Sequence, residues 1–344
     1  MKFRRIHLVA GIAALVMTGM VAYAAHRISA PAIDLGDKKS ELVYIPTGAT
    51  FDEVCQLLTL DHRLTDPRTF GIVADLMKYS TNVKAGCYEI DNRMTAVELV
   101  RKLRSGNQHP LNVTFNNIRS LSQLAGHVGR RIETDSAQLI AVMTDSAAIA
   151  AIGFDSRTIP AMFIPDTYQF HWNTSASQWL ERMHTEWKRF WNSERTLKAE
   201  ALGLSPIEVS TLASIVDEET AQNNEKPTVA GLYINRLRKG IPLQADPTVK
   251  FALGDFGIRR ILKKDLEVES PYNTYRHAGL PPGPIRIASK QGIEAVLNAR
   301  KHNYLYMCAK EDFSGYHNFA VTLAEHNRNA AKYQRELGRH KIYR

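Results

Sequence analysis

Glu219 ends the phrase Ser205-Pro-Ile-Glu-Val-Ser-Thr-Leu-Ala-Ser-Ile-Val-Asp-Glu-Glu-Thr220, and its place there gives a carboxylate an apolar setting. Ser205 suits an N-cap, Pro206 the first helical position, and Glu208 the reciprocal member of a capping box, so a helix is expected to start here. At about 100° per residue, Asp217 continues the row of Ser210 and Glu218 the row of Thr211, both polar. Glu219 instead continues the row of Leu212 and is flanked by Ile215 and Val216. A carboxyl group on an apolar stripe loses hydration, which raises its pKa and lets it donate a proton near neutral pH. One acid of this kind can be the whole catalytic apparatus of a sugar-cleaving enzyme. The same argument expects Asp217 and Glu218 to be replaceable at far smaller loss.

Three phrases downstream carry further candidates. Val229-Ala-Gly-Leu-Tyr-Ile-Asn-Arg-Leu237 reads as a helix whose Val229, Leu232, Tyr233 and Leu237 can pack on the Glu219 helix. Gln244-Ala-Asp-Pro-Thr-Val249 groups an amide, a carboxylate and a hydroxyl around a helix-starting proline. Tyr272-Asn-Thr-Tyr275 precedes Gly279-Leu-Pro-Pro-Gly-Pro-Ile285, where prolines fix φ and glycines allow tight turns. Rigid loops with Asn, Thr and Tyr suit hydrogen bonding to sugar hydroxyls and acetamido groups. Gln244, Asp246, Asn273 and Tyr275 are therefore expected to line a substrate cleft. Each also has a structural reading: Asp246 suits a helix cap, and Arg236 suits either a substrate carboxylate or an internal ion pair.

The elements that must hold these groups can be read along the chain. Leu8–Ala25 is free of charge, long enough to be a membrane span, and preceded by Lys2, Arg4 and Arg5, which places residues 1–7 in the cytoplasm and the body outside. A cleaved signal peptide is the alternative, with Ala22-Tyr23-Ala24 as cleavage site. Residues 26–40 form a linker. Residues 41–108 read as a small α+β module: a strand at Glu41–Ile45, helices at Phe51–Leu60 and Pro67–Tyr79, a strand at Lys84–Ile90 and a helix at Thr95–Leu103. In the remaining 109–344, a strand is expected at Leu111–Phe115, helices at Ser120–Val128, Ser136–Ala150 and Ser175–Trp191, a turn-rich break at Phe163–Tyr168, and a strand within Asn303–Ala309. The Trp179, Leu180, Met183, Trp187, Phe190 stripe is read as core packing. The fold class is α+β, with the Glu219 region mainly helical.

Composition excludes several alternatives. The chain has 344 residues, 44% hydrophobic and 23% charged, enough for two or three domains with real cores. Its net charge of +9 fits anionic lipid or wall polymer; no nucleic-acid module is present, so no nucleic-acid partner is expected. Cys55, Cys87 and Cys308 form no disulfide framework and read as buried thiols, although export permits a Cys55–Cys87 bridge. The histidines lack metal-ligand spacing, so no metal or other cofactor is expected, and His317 and His326 are assigned surface or core roles.

Taken together, the phrases resemble the endolytic murein transglycosylases of the YceG-like family. The resemblance is carried by Phe163–Tyr168, Ala213–Thr220, Val229–Leu237, Gln244–Val249, Tyr272–Tyr275 and Gly279–Ile285, with His317-Asn-Phe319 and Glu325-His-Asn327 later. The 41–108 segment, with its Ile45-Pro-Thr-Gly-Ala-Thr50 turn, resembles a LysM-like module; a spacer without sugar contact is the alternative. The family's essential glutamate stands directly before the threonine, which maps onto Glu219. Where the family often has Glu-Lys-Glu-Thr, this chain has Asp217-Glu-Glu-Thr220, adding local negative charge. The resemblance implies cleavage of nascent peptidoglycan strands between N-acetylmuramic acid and N-acetylglucosamine to leave 1,6-anhydromuramyl ends, without cofactor, and partnership with inner-membrane peptidoglycan synthases. A muramidase-type hydrolase using Asp246 or Asp217 and water, and a non-catalytic wall-binding scaffold, remain the alternatives.

Overall fold

The computed structural model describes residues 2–60, 64–258 and 261–340. Helix α1 (Lys2–Ser29) opens the chain. Its stretch His7–Ser29 is long and apolar enough to cross a membrane, with mean hydropathy 2.0; its apolar window is unburied, and Ile28 near its end packs on the first unit's core. The side chains of Lys2, Arg4 and Arg5, on which the expected orientation rests, lie outside the described residues. Close contacts group the rest into two units: the first reaches Val113 and adds Arg131–Thr134 and Gln169–Thr174, and the second takes the remainder.

In the first unit, β1 (Ser40–Ile45) pairs antiparallel with β2 (Gly86–Asp91), so that Ser40 faces Asp91 and Ile45 faces Gly86. Helices α2 (Phe51–Leu60) and α3 (Pro67–Leu76) connect the strands, and α4 (Ala96–Ser105) follows. The sequence marks these elements well. Thr95 and Glu98 form a capping box on α4, Asp66 caps α3, and Gly106 takes the left-handed conformation that stops α4 (φ 72°). Val54 and Leu58 turn inward with Phe70, Tyr88 and Leu99, while Phe51 stacks on Phe70 at 5.7 Å. All three cysteines are free thiols, so the permitted Cys55–Cys87 bridge is not formed. Burial pushes the Cys87 thiol up to about 11, which leaves it a small, unreactive hydrophobe.

Strand β3 (Leu111–Phe115) leads to α5 (Leu121–Val128), α6 (Ser136–Thr144) and α7 (Ser146–Ala151). The single helix expected at Ser136–Ala150 is two helices, because Asp145 leaves helical geometry (ψ 106°) and caps the second through the N–H groups of Ala147 and Ala148. The expected break at Phe163–Tyr168 is also corrected. A short 3-10 turn (Ile159–Met162) precedes buried Phe163 and Ile164, and β4 (Asp166–Phe170) then pairs with β3. Helix α8 (Ala176–Phe190) buries Trp179, Leu180 and Met183 and packs Trp187 and Phe190 on the core, as the stripe predicts.

After α9 (Ser193–Leu202), α10 (Pro206–Glu219) and α11 (Lys226–Arg238) form the centre of the second unit. Helices α12 (Asp246–Leu253) and α13 (Lys290–Leu297), the antiparallel ladder of β5 (Tyr306–Ala309) and β6 (His317–Ala320), and α14 (Leu323–Arg339) complete it. Helix α10 is buried from Val209 to Val216 on every side. Its Ser210 and Thr211 rows, read as polar faces, are interior, because each hydroxyl donates to a carbonyl of its own helix: Ser210 to Pro206 at 2.9 Å and Thr211 to Ile207 at 2.9 Å. Close approach elsewhere depends on glycine. A Cβ on Gly231 would stand 2.3 Å from the Arg300 carbonyl, and one on Gly292 would stand 2.6 Å from an Asp217 oxygen.

Candidate active site

Three consecutive carboxylates at the end of α10 meet three different environments. Asp217 accepts from Lys226 Nζ at 2.7 Å, from the Ser289 N–H at 2.6 Å and from Ser289 Oγ at 2.8 Å, with a side chain only 3% exposed. Glu218 takes Arg286 and, at 3.1 Å, Arg119. Glu219 has no cation in ion-pair contact among the described residues. Its Oε1 instead accepts from the Tyr233 hydroxyl at 2.7 Å. Two acids are thus neutralised by the fold, and the third is left to a neutral donor.

The chain reverses directly after Glu219. Thr220 caps α10 in extended geometry, buried, and its hydroxyl accepts from the Gln222 N–H at 3.1 Å. The threonine therefore has a local task, which is to stop the helix at the glutamate and set the turn into α11. That helix brings Tyr233 back over Glu219, about two turns from its start.

Burial raises the Glu219 carboxyl to about 7, and the negative charge of Asp246 adds to the rise. The Tyr233 hydrogen bond, His317 and Lys250 act in the opposite direction but do not outweigh burial. Tyr233, buried beside the carboxylate, has its own pKa pushed well above the usual phenol range, so it stays a donor. Glu219 is nevertheless only half-buried, because it reaches an open cavity of about 420 Å³.

That cavity is lined by Gln244, Asp246 and Tyr275 as expected, together with Tyr233, Arg236, Tyr306, His317 and His326. The Tyr275 hydroxyl donates to Asp246 Oδ1 at 2.6 Å, and burial followed by this carboxylate raises the Tyr275 pKa. Asp246 is the first residue of α12 and caps nothing; the N-cap is Ala245. The two loops are stitched beneath the cavity. Thr274 Oγ1 accepts from the Ala245 N–H at 3.0 Å and meets Thr248 Oγ1 at 2.8 Å, while Gln244 donates its N–H to the Thr274 carbonyl at 3.0 Å.

Asn273 does not line the cavity. It is fully buried, donating to the carbonyls of Leu266 at 2.8 Å and Val268 at 2.9 Å and accepting from the Tyr275 N–H at 3.0 Å. An amide has both donors and acceptors, so it can brace a loop as well as bind a sugar, and here every such group is used on the chain. Arg236 lines the cavity and forms no ion pair among the described residues. It donates to the carbonyls of Pro242 and Leu305 and, at 2.5 Å, to Gln244 Oε1, and so orients that amide. Tyr233, His317 and His326 went unread as cavity residues. A hydroxyl tip on the apolar stripe facing Glu219 was the available signal for Tyr233; the histidines arrive from distant β6 and α14, and no local pattern announces them.

A carboxyl group protonated near neutrality, held on one side by a hydroxyl and open on the other to a cavity with an amide and a second carboxylate, can give a proton and take it back. The arrangement is suited to acid/base chemistry on one carboxyl group. The chain belongs to the YceG-like family, whose profile matches residues 43–332. An endolytic murein transglycosylase from Bacillus subtilis (strain 168) is 28% identical over 319 residues, covering 88% of this chain and 87% of that protein. One from Streptococcus pneumoniae serotype 2 is 27% identical over 332 residues; the match covers 88% of this chain and 60% of the longer relative. A crystal structure of a YceG-like protein from Listeria monocytogenes superimposes with TM-score 0.56 at 28% identity, covering 85% of this chain and 99% of that one.

Proposed function

We propose that this protein is a lytic transglycosylase that cuts peptidoglycan strands internally, with Glu219 as its single acid/base. The observation that carries the reading is Glu219 itself: raised to about 7, without a cation partner among the described residues, and facing the open cavity in a member of the YceG-like family. Glu219 protonates the glycosidic oxygen between N-acetylmuramic acid and N-acetylglucosamine as the bond breaks through an oxocarbenium-like state. The resulting carboxylate then takes the proton from the muramic 6-hydroxyl, whose oxygen attacks the anomeric carbon and closes a 1,6-anhydro ring. No water enters, so the paired carboxylates of ordinary glycosidases are not needed. Gln244, Asp246 and Tyr275 contact the sugar. Purified sacculi treated with the protein should release long glycan fragments before any disaccharide; release of disaccharides alone, or no release, would refute internal cleavage.

A hydrolase is the second reading, and Asp246 is the observation behind it, since a second carboxylate faces the same cavity. In both readings Glu219 must be protonated to act, so kcat/KM should fall about tenfold per pH unit above roughly pH 7. Asp246→Asn removes a negative neighbour and should shift that limb to lower pH. Initial rates of sacculus solubilisation across roughly pH 5 to 9 read both effects.

Helix α1 then serves as a membrane anchor, with Lys2, Arg4 and Arg5 on the cytoplasmic side and the catalytic unit outside. The 41–108 segment, as a LysM-like module, binds glycan. Anchoring at the membrane places the cut on nascent strands beside inner-membrane peptidoglycan synthases, where it sets strand length.

A further inference from the structure

The second unit carries another cavity, of about 510 Å³, that the reaction does not use. Its wall combines Arg300, Lys301 and Lys310 with the rings of Tyr304, Tyr316 and Phe319. His317 lines this cavity and the Glu219 cavity alike, so the two are neighbours through one imidazole. That imidazole is fixed by Glu225, which accepts from the His317 N–H at 2.8 Å and lies 2.9 Å from Nδ1. The acid nearest to hand is thereby engaged with His317.

None of the three cations has an ion-pair partner among the described residues. Arg300 reaches only the Thr228 hydroxyl, at 3.5 Å. Lys310 sits 5.7 Å from the Tyr316 ring centroid and within electrostatic reach of Asp312, without bonding to it. Arg300 and Lys301 are exposed and Lys310 is half-buried, whereas the buried Lys226 and Arg286 of the same unit are paired with Asp217 and Glu218. Three unmatched cations around a concave, aromatic-walled site call for an anionic ligand with some apolar surface. A repeating aminosugar backbone offers little of either. The carboxylates and aliphatic side chains of peptidoglycan lie on the peptides branching from muramic acid.

We propose that this cavity binds the anionic peptide stem of a muramic acid while the adjacent glycan lies over Glu219, so that the enzyme selects peptide-bearing strands. The proposal rests on the peptidoglycan reading above. It is tested with soluble glycan strands bearing stems and with the same strands stripped by an amidase, comparing the protein with the Arg300→Gln/Lys301→Gln/Lys310→Gln variant. Cleavage gives one readout; binding of fluorescently labelled strands by the Glu219→Gln form, with and without the three changes, gives another. The protein should favour stem-bearing strands by about tenfold in both readouts, and the triple variant should lose that preference while cutting stripped strands at the unchanged rate and melting at the unchanged temperature. Equal binding of both substrates, or a preference that survives in the triple variant, overturns the proposal. A preference in binding with no cleavage of either substrate would sink the catalytic reading and leave the stem site standing.

Discussion

Glu219→Gln should lower glycan cleavage by about a thousandfold or more, while sacculus binding and the fold are kept. General acid catalysis alone supplies about 10²–10⁴, and here the same carboxyl serves as acid and then as base. Glutamine has nearly the same shape and can still accept from Tyr233, so the loss is one of chemistry and not of packing. The substitution should also change the pH dependence of stability, and the sign is fixed. The folded carboxyl titrates at about 7, against 4.5 when unperturbed. Between those values the native state keeps a proton that the unfolded chain releases, so stability falls as pH rises through the window and is level above it. The ceiling on this cost is about 3 kcal/mol, lowered by whatever water the open cavity admits. Glu219→Gln removes the cost and should be more stable relative to the parent at pH 8 than at pH 4. Thermal melts at the two pH values read the difference; a variant that gains nothing at the higher pH contradicts a buried, raised carboxyl.

Asp217→Ala should be the most destabilising change in the same triplet, costing about 3–5 kcal/mol. It strands the Lys226 ammonium, 9% exposed, and leaves both Ser289 donors without their acceptor. Removing one member of a buried pair costs far more than the pair contributes, because an uncompensated charge remains inside. The melting temperature should fall by roughly 10 °C, as read by circular dichroism. A shift within about 2 °C would show that the Asp217 cluster is not a structural tie.

The helix face alone gives no sign of this role: it expects Asp217 to be replaceable at far smaller loss than Glu219. For Glu219 the face reading holds: the carboxyl continues an apolar row, and the Ser205–Glu208 capping box fixes where that row starts. Asp217 is different, because a helix buried all round has no solvent face, and the sequence of α10 cannot show what covers the Ser210 and Thr211 rows. The covering groups, Lys226, Arg286 and Ser289, are remote in sequence or lie on another element. Local signals served well where local physics decides: the helix read at Thr95–Leu103, the Phe51–Leu60 helix and the Leu111–Phe115 strand stand where the residues put them. Asn273 shows the limit for sites. Its amide chemistry suits sugar binding and loop bracing equally, and only the positions of the Leu266 and Val268 carbonyls decide for bracing.

The central claim is that one carboxyl group performs an intramolecular transfer in which water takes no part. Digesting sacculi with the protein in H₂¹⁸O and weighing the new muramic ends tests it most directly. The account predicts ends lighter by one water than reducing muramic acid, with no ¹⁸O incorporated. Reducing ends carrying ¹⁸O at the anomeric position would contradict it and transfer the second catalytic role to Asp246 and a water.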